Sequence, residues 1–225
     1  MSEWWSYRLS SFLLFSARTY YRLFELYNRD LWPAQIVALA LGVMILVGLF
    51  SHAAWRGKAV ATMLAACWLW VAWAFLATRY ASINWAASYF ALGFTIEALL
   101  LLWAGVVRDD MAGTPSASPA PIVGISLFLF ALMLQPLIGP MLGRPWLQAE
   151  LFGMAPDPTA VATLGILLVA GRRRRWLMMT IPLLWCLISG ATLWTMEAQE
   201  AWVMPVIGLL AVLLAVRKGL SVRSE

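Results

Sequence analysis

The stretch Glu150–Gly171, ELFGMAPDPTAVATLGILLVAG, decides how this chain is put together. Its second half is apolar enough for a membrane helix, yet its first half sets an acid between two prolines. Asp157-Pro158-Thr159 has the grammar of a helix start, with Asp at the N-cap and Pro at the first helical position. The clean helical run from Pro158 is roughly 20 Å long, against a hydrocarbon core of about 30 Å. If this helix ends at the arginine run Arg172–Arg175, it begins below the opposite membrane surface, and Arg144–Asp157 must dip inward to meet it. Irregular backbone at that depth is tolerated only where protein or water covers it. A half-helix N-terminus facing a cavity is one way in which membrane proteins build binding and transport sites.

The rest of the chain supports a membrane setting. Of its 225 residues, 63% are hydrophobic and 12% charged, whereas a soluble domain is about half apolar and about a quarter charged. Apolar runs near 32–50, 59–78, 84–107, 122–143, 158–171, 175–196 and 201–217 predict an all-α, polytopic helical bundle of about seven spans. Six spans plus a re-entrant segment is the alternative. Residues 1–30 form an N-terminal interfacial amphipathic segment. One transmembrane domain covers 31–217, with a Ser/Pro/Ala-rich linker at 108–121 and the broken-helix segment at 144–171, and 218–225 form a tail. The opening residues lack the basic, apolar and small-residue order of a cleavable signal peptide, so the first span is expected near Trp32.

Tryptophan and arginine give the boundaries and the orientation. Trp32, Trp55, Trp85, Trp103, Trp146, Trp176, Trp194 and Trp202 fall at span ends, where indole favours the headgroup level. Trp68, Trp70, Trp73 and Trp185 lie deeper and are expected to pack between helices. Ten basic residues, Arg56, Lys58, Arg108, Arg172–Arg175, Arg217, Lys218 and Arg223, fall on one side, against six on the other: Arg8, Arg18, Arg22, Arg29, Arg79 and Arg144. The positive-inside rule places the first set, the Arg172–Arg175 loop and the C-terminus in the cytoplasm. The N-terminal segment is expected to lie in the membrane plane or to meet a partner. Leu13, Ala17, Tyr20, Phe24 and Tyr27 make its apolar stripe, and Arg18, Arg22, Glu25 and Arg29 its polar one.

Polar residues at depth are functional hypotheses by default. Glu97 sits near the middle of the third span, with Ala86, Gly93 and Ala104 on its face as an expected close-packing surface. Gln135 precedes Pro136, whose missing N–H opens the helical ladder; Gly124, Ala131 and Gly139 share the Gln135 face. Asp157 reaches a similar depth, and Thr159 and Thr163 follow it in the fifth span at i, i+4 spacing. Glu97, Gln135, Asp157, Thr159 and Thr163 are therefore the candidate substrate-binding residues. No catalytic residue is assigned, and the reading leans away from an enzyme.

No cofactor or metal site is expected. His52 is the chain's one histidine and falls in a loop, so bis-His haem and ordinary histidine–metal sites are disfavoured. No lysine lies within a span to carry a Schiff base. Cys67 and Cys186 form no CxxC pair. No nucleophile elbow, HExxH or phosphate loop occurs, and the positive charge is read as topology, not as a nucleic-acid footprint.

Two segments carry a resemblance, WWSYRLSSFLLFSARTYYRLFELYNRDLWPAQ and PLIGPMLGRPWLQAELFGMAPDPTAVATLGILL. Together they resemble an uncharacterised bacterial family of multi-pass membrane proteins, a domain of unknown function. The family pattern matches Pro136 with Gly139, Phe152 with Gly153, Pro156 with Pro158 and Thr159, and Thr163 with Gly165. In that pattern the position of Asp157 is often Cys, which implies that the backbone break is the shared feature, not the carboxylate. The resemblance implies location and architecture only. The leading expectation is a bacterial inner-membrane protein that binds or transports a small solute or ion. An accessory subunit engaging a membrane-protein partner or a second copy is the runner-up, and an intramembrane lipid-modifying enzyme the third.

Overall fold

The helix that begins at Pro156 is enclosed by the others. In the computed structural model, which describes residues 15–111, 119–170 and 175–221, the chain forms α1 (Ala17–Asp30), α2 (Ala34–Phe50), α3 (Arg56–Trp70), α4 (Ala87–Leu102), α5 (Pro119–Leu129), α6 (Gln135–Met141), α7 (Pro156–Ala170), α8 (Arg175–Thr195) and α9 (Val203–Ser221). The described residues contain no strand. Leu13 of the apolar stripe, Arg8, the centre of the linker, Arg172–Arg174 and the last residues of the tail lie outside the described residues.

Every residue of α7 is buried. It packs on α5, α8, α9 and α3, and a helix that is apolar all round suits such a central place. Small residues let the neighbours approach. A Cβ built on Gly165 would meet the Gly124 carbonyl oxygen at 2.5 Å, and one on Gly124 would meet that of Gly165 at 2.5 Å. The two helices therefore cross backbone on backbone. α8 and α9 meet in the same way at Gly190, whose Cβ would lie 2.3 Å from Pro205 Cγ.

The outer surface is apolar. Val37, Val47, Phe50, Leu92, Leu187 and Leu209 are among many large hydrophobic side chains that face outward, far beyond the patch size of a soluble monomer. Four helical runs are long and apolar enough to cross a membrane: Arg56–Ser82, Ala87–Val107, Pro119–Met141 and Trp176–Thr195. α1 and α2 form a pair bent by 92°, and α7 and the apolar part of α9 are shorter. All eight tryptophans expected at span ends are exposed, from 38% for Trp103 to 71% for Trp194. Trp68 and Trp185 are buried as expected, but Trp73 is 63% exposed. It lies in a π-helical continuation of α3, Val71–Ala77, whose changed winding turns Trp73 away from the core.

A second correction concerns α4. A Cβ on Gly93 would meet nothing within 4 Å, so Gly93 is not a packing contact. The buried face runs through Ala87, Ala91, Phe94, Glu97, Ala98 and Leu101; of the face expected, Glu97 and Ala104 are buried, and Ala86 and Gly93 are only partly so. The opening ahead of Pro136 takes the form of another π-helical segment, Phe130–Leu134, which ends where α6 begins with Gln135.

α1 lies across one end of the bundle. It buries Tyr20, Phe24 and Tyr27; Phe24 stacks on Phe75 at 4.6 Å and Tyr20 meets Tyr80 edge-on. Arg18, Arg22 and Arg29 stay exposed. The same helix holds the loop before α7: Asn28 Nδ2 donates to the carbonyls of Leu147 and Ala149 at 2.8 and 2.9 Å, and Tyr27 Oη to that of Met154 at 3.1 Å. Irregular backbone buried here thus finds its partners in α1.

The Gly124–Gly165 crossing makes a direct prediction. Gly165→Ala forces α5 and α7 apart and should lower stability by about 1–3 kcal/mol. Gly93→Ala meets open space and should leave stability unchanged or raise it by up to about 1 kcal/mol. Thermal unfolding of both variants in detergent, followed by tryptophan emission, checks this; equal midpoints would remove the close crossing from the fold.

Candidate functional site

The polar residues gather where the Arg144–Ala155 loop enters α7. α7 starts at Pro156, so Asp157 lies in its first turn and not at the N-cap. The preceding turn is closed instead by Thr159, whose hydroxyl accepts from the Gly153 N–H at 3.0 Å and donates to the Ala155 carbonyl at 2.7 Å. Gly153 adopts φ +72°, a conformation glycine takes at little cost. Asp157 is left free to face α8, where its two carboxylate oxygens accept from Trp185 Nε1 at 2.7 Å and from Ser189 Oγ at 2.6 Å.

Beside Asp157 lies a cavity of about 30 Å³, lined among others by Gln135, Arg144, Gln148, Glu150 and Glu200. That is room for one or two water-sized groups. Arg144 organises it. Its guanidinium sits 3.9 Å over the Tyr21 ring and pairs with Glu200 at 2.5 Å, while Tyr21 Oη donates to the same carboxylate at 2.9 Å. Burial holds the Tyr21 phenol above its ordinary value, so it remains a donor. Burial, and next the Asp157 carboxylate, push the Glu150 carboxyl well above its usual range, against the pull of Arg144. Arg144 Nε and Nη1 and Gln135 Oε1 are buried without a hydrogen-bond partner. Gln135 is 7% exposed, and its amide nitrogen points at Met204 Sδ, 3.8 Å away.

Of the five residues expected to converge, Gln135 and Asp157 line the cavity and the others do not. Thr159 is committed to the backbone. Thr163 accepts from Trp68 Nε1 at 2.8 Å and donates to the Thr159 carbonyl at 2.8 Å. Glu97 is wholly buried with both oxygens unpartnered. An aromatic layer lies between it and Asp157: Phe94, one turn from Glu97, packs on Trp68 at 4.3 Å and on Trp185 at 5.0 Å. Glu97 does face the interior, and the Phe94–Trp185 contact stands between it and Asp157.

Arg144, Gln148, Glu150 and Glu200 are the residues that sequence reasoning missed. Arg144 reads as a topology charge and Glu200 as part of a helix start. The available signal was their company: Glu150, Asp157 and Glu200 all fall on the side that holds Arg144. The described residues contain no group of three or more His, Cys, Asp or Glu side chains placed to hold a metal ion.

A family model matches residues 17–225, and the chain belongs to that family of unknown function, DUF6064. No curated protein and no solved structure matches the chain.

The Asp157 network can be checked by substitution. Asp157→Leu leaves two buried donors, on Trp185 and Ser189, without an acceptor, each costing about 1–3 kcal/mol. Asp157→Asn keeps one acceptor, and the serine hydroxyl can rotate to accept from the new amide. Thermal unfolding should therefore rank wild type and D157N close together and D157L well below. A D157L midpoint equal to that of D157N would mean these bonds add nothing.

Proposed function

We propose that this DUF6064 member is a multi-pass protein of the bacterial cytoplasmic membrane that binds or moves a small solute or ion at the cavity beside Asp157. Seven spans are proposed, α2 to α9 with α5 and α6 as one, and α1 as an interfacial helix. The Arg172–Arg175 loop and the C-terminus lie in the cytoplasm. The observation that carries the site is the set of unpartnered buried atoms, Gln135 Oε1 and Arg144 Nε and Nη1, around a cavity at the start of a shortened helix. Native interiors leave few such atoms, and each asks for an explanation. α7, with 15 residues, is about 22 Å long, against about 31 Å for the 21-residue run Ala87–Val107. Its start therefore falls short of its neighbours' ends, as a half-helix site requires.

The topology draws support from how the ends group. Arg79 pairs with Asp30 at 3.1 Å and Arg144 with Glu200, all at the α1 end. Arg56, Met111 and Ala170 share a small cavity at the other. These are the same two sets that the charge count separated.

The accessory-subunit reading keeps one observation in its favour. Glu97 is wholly buried, and a packed interior at that depth suits a subunit better than a water-filled path. Cysteine accessibility separates the two readings. The native Cys67 and Cys186 are buried and supply the unreactive background. In membrane vesicles, Gln148→Cys and Glu150→Cys should react with a small soluble thiol reagent, and Glu97→Cys should not. If neither cavity cysteine reacts, the binding-site reading fails and a packed subunit takes its place.

A further inference from the structure

We propose that the cavity and the groove beside it form one site for a single-chain amphiphile with a primary ammonium head. The proposal rests on the cavity reading above and adds the chemistry of the ligand. A groove of about 730 Å³ runs between α5–α6 and α9. Its walls are apolar along most of their length, including Leu127, Phe130, Leu134 and Val206, and Gln199, Glu200 and Trp202 gather toward one end. Ile138, Glu200 and Val203 line both the groove and the cavity, so the two adjoin across these side chains. A largely apolar cleft of this volume with a few convergent polar groups is the usual form of a small-molecule site. Trp202, 61% exposed, marks the headgroup level, so a tail lying in the groove would run parallel to lipid.

The cavity selects the head. Glu150, Asp157 and Glu200 face a single guanidinium, Arg144, which already pairs with Glu200. Protonation of Glu150 still leaves two carboxylates against one cation. Gln135 Oε1, without a partner and on a side chain more than nine-tenths buried, asks for a donor. An ammonium group brings three donors and no acceptor. A space of about 30 Å³ suits a compact ammonium group better than a bulkier trimethylammonium. An anionic head would gain the two free nitrogens of Arg144 but would face the carboxylates.

The test uses the full chain in phosphatidylcholine nanodiscs, which carry no primary amine. Dodecylamine, dodecyltrimethylammonium and laurate are titrated against the thermal midpoint and tryptophan emission. Dodecylamine should bind about tenfold or more tightly than the other two. Glu200→Gln, which removes a carboxylate where cavity and groove meet, and Val206→Trp, which fills the groove from an exposed position, should each weaken it by about tenfold. Equal or tighter binding of laurate would overturn the proposal. So would a dodecylamine response that both variants leave unchanged, which would hand the groove to a partner helix or to bulk lipid. Loss of the response in phosphatidylethanolamine nanodiscs would assign the site to a two-chain bilayer lipid and equally overturn the single-chain occupant. Reactive cavity cysteines with no preference for dodecylamine would sink this proposal alone and leave the cavity reading standing.

Discussion

The backbone contact between Gly124 and Gly165 governs the architecture. It draws α7 so far into the bundle that none of its residues reaches the surface. A helix in that position cannot be entered from a surface loop, so the preceding segment must follow it inward. That segment carries N–H and carbonyl groups that lipid cannot satisfy. α1 answers the need from outside through Asn28 and Tyr27, and Thr159 answers it from within α7. α1 is thus part of the inner structure: its apolar stripe anchors it on Phe75 and Tyr80, and its polar groups complete the loop beneath.

Once the loop is inside, its side chains set the chemistry. Arg144 cannot leave water alone, because an uncompensated charge at depth is expensive. It takes Glu200 as a partner and Tyr21 as a platform, which ties α9 and α1 to the loop. Asp157 is likewise bound into α8. The polar contacts therefore join the loop to α1, α8 and the approach to α9, and the cavity lies among them.

Much of the fold was legible in the sequence because it rests on length and periodicity. The apolar runs became helices, the end-of-span tryptophans became exposed, and Tyr20, Phe24 and Tyr27 became one buried stripe. What failed was rotation about a helix axis. Trp73 was placed inside by its depth and Gly93 by counting at α-helical spacing, and the structure turns both elsewhere. Glu97 does face the interior, as counting placed it, but away from the cavity. The site was half legible. Gln135 and Asp157 stand out as polar groups in apolar runs, whereas Arg144, Glu150 and Glu200 sit among loop residues, where a charge is ordinary and signals nothing by itself.

The distribution of satisfied and unsatisfied atoms argues that the polar cluster is kept for something other than stability. A buried ion pair roughly breaks even against apolar residues of the same size, so Arg144 and Glu200 add little that packing could not supply. The bonds that hold the scaffold are complete: Asp157 to Trp185 and Ser189, Thr163 to Trp68, Asn28 to the loop. The incomplete ones include Gln135 Oε1 and Arg144 Nε and Nη1, on residues that line the cavity, besides the Glu97 oxygens and Gln35 Oε1, which lie away from it. Open contacts of this kind cost stability where they occur.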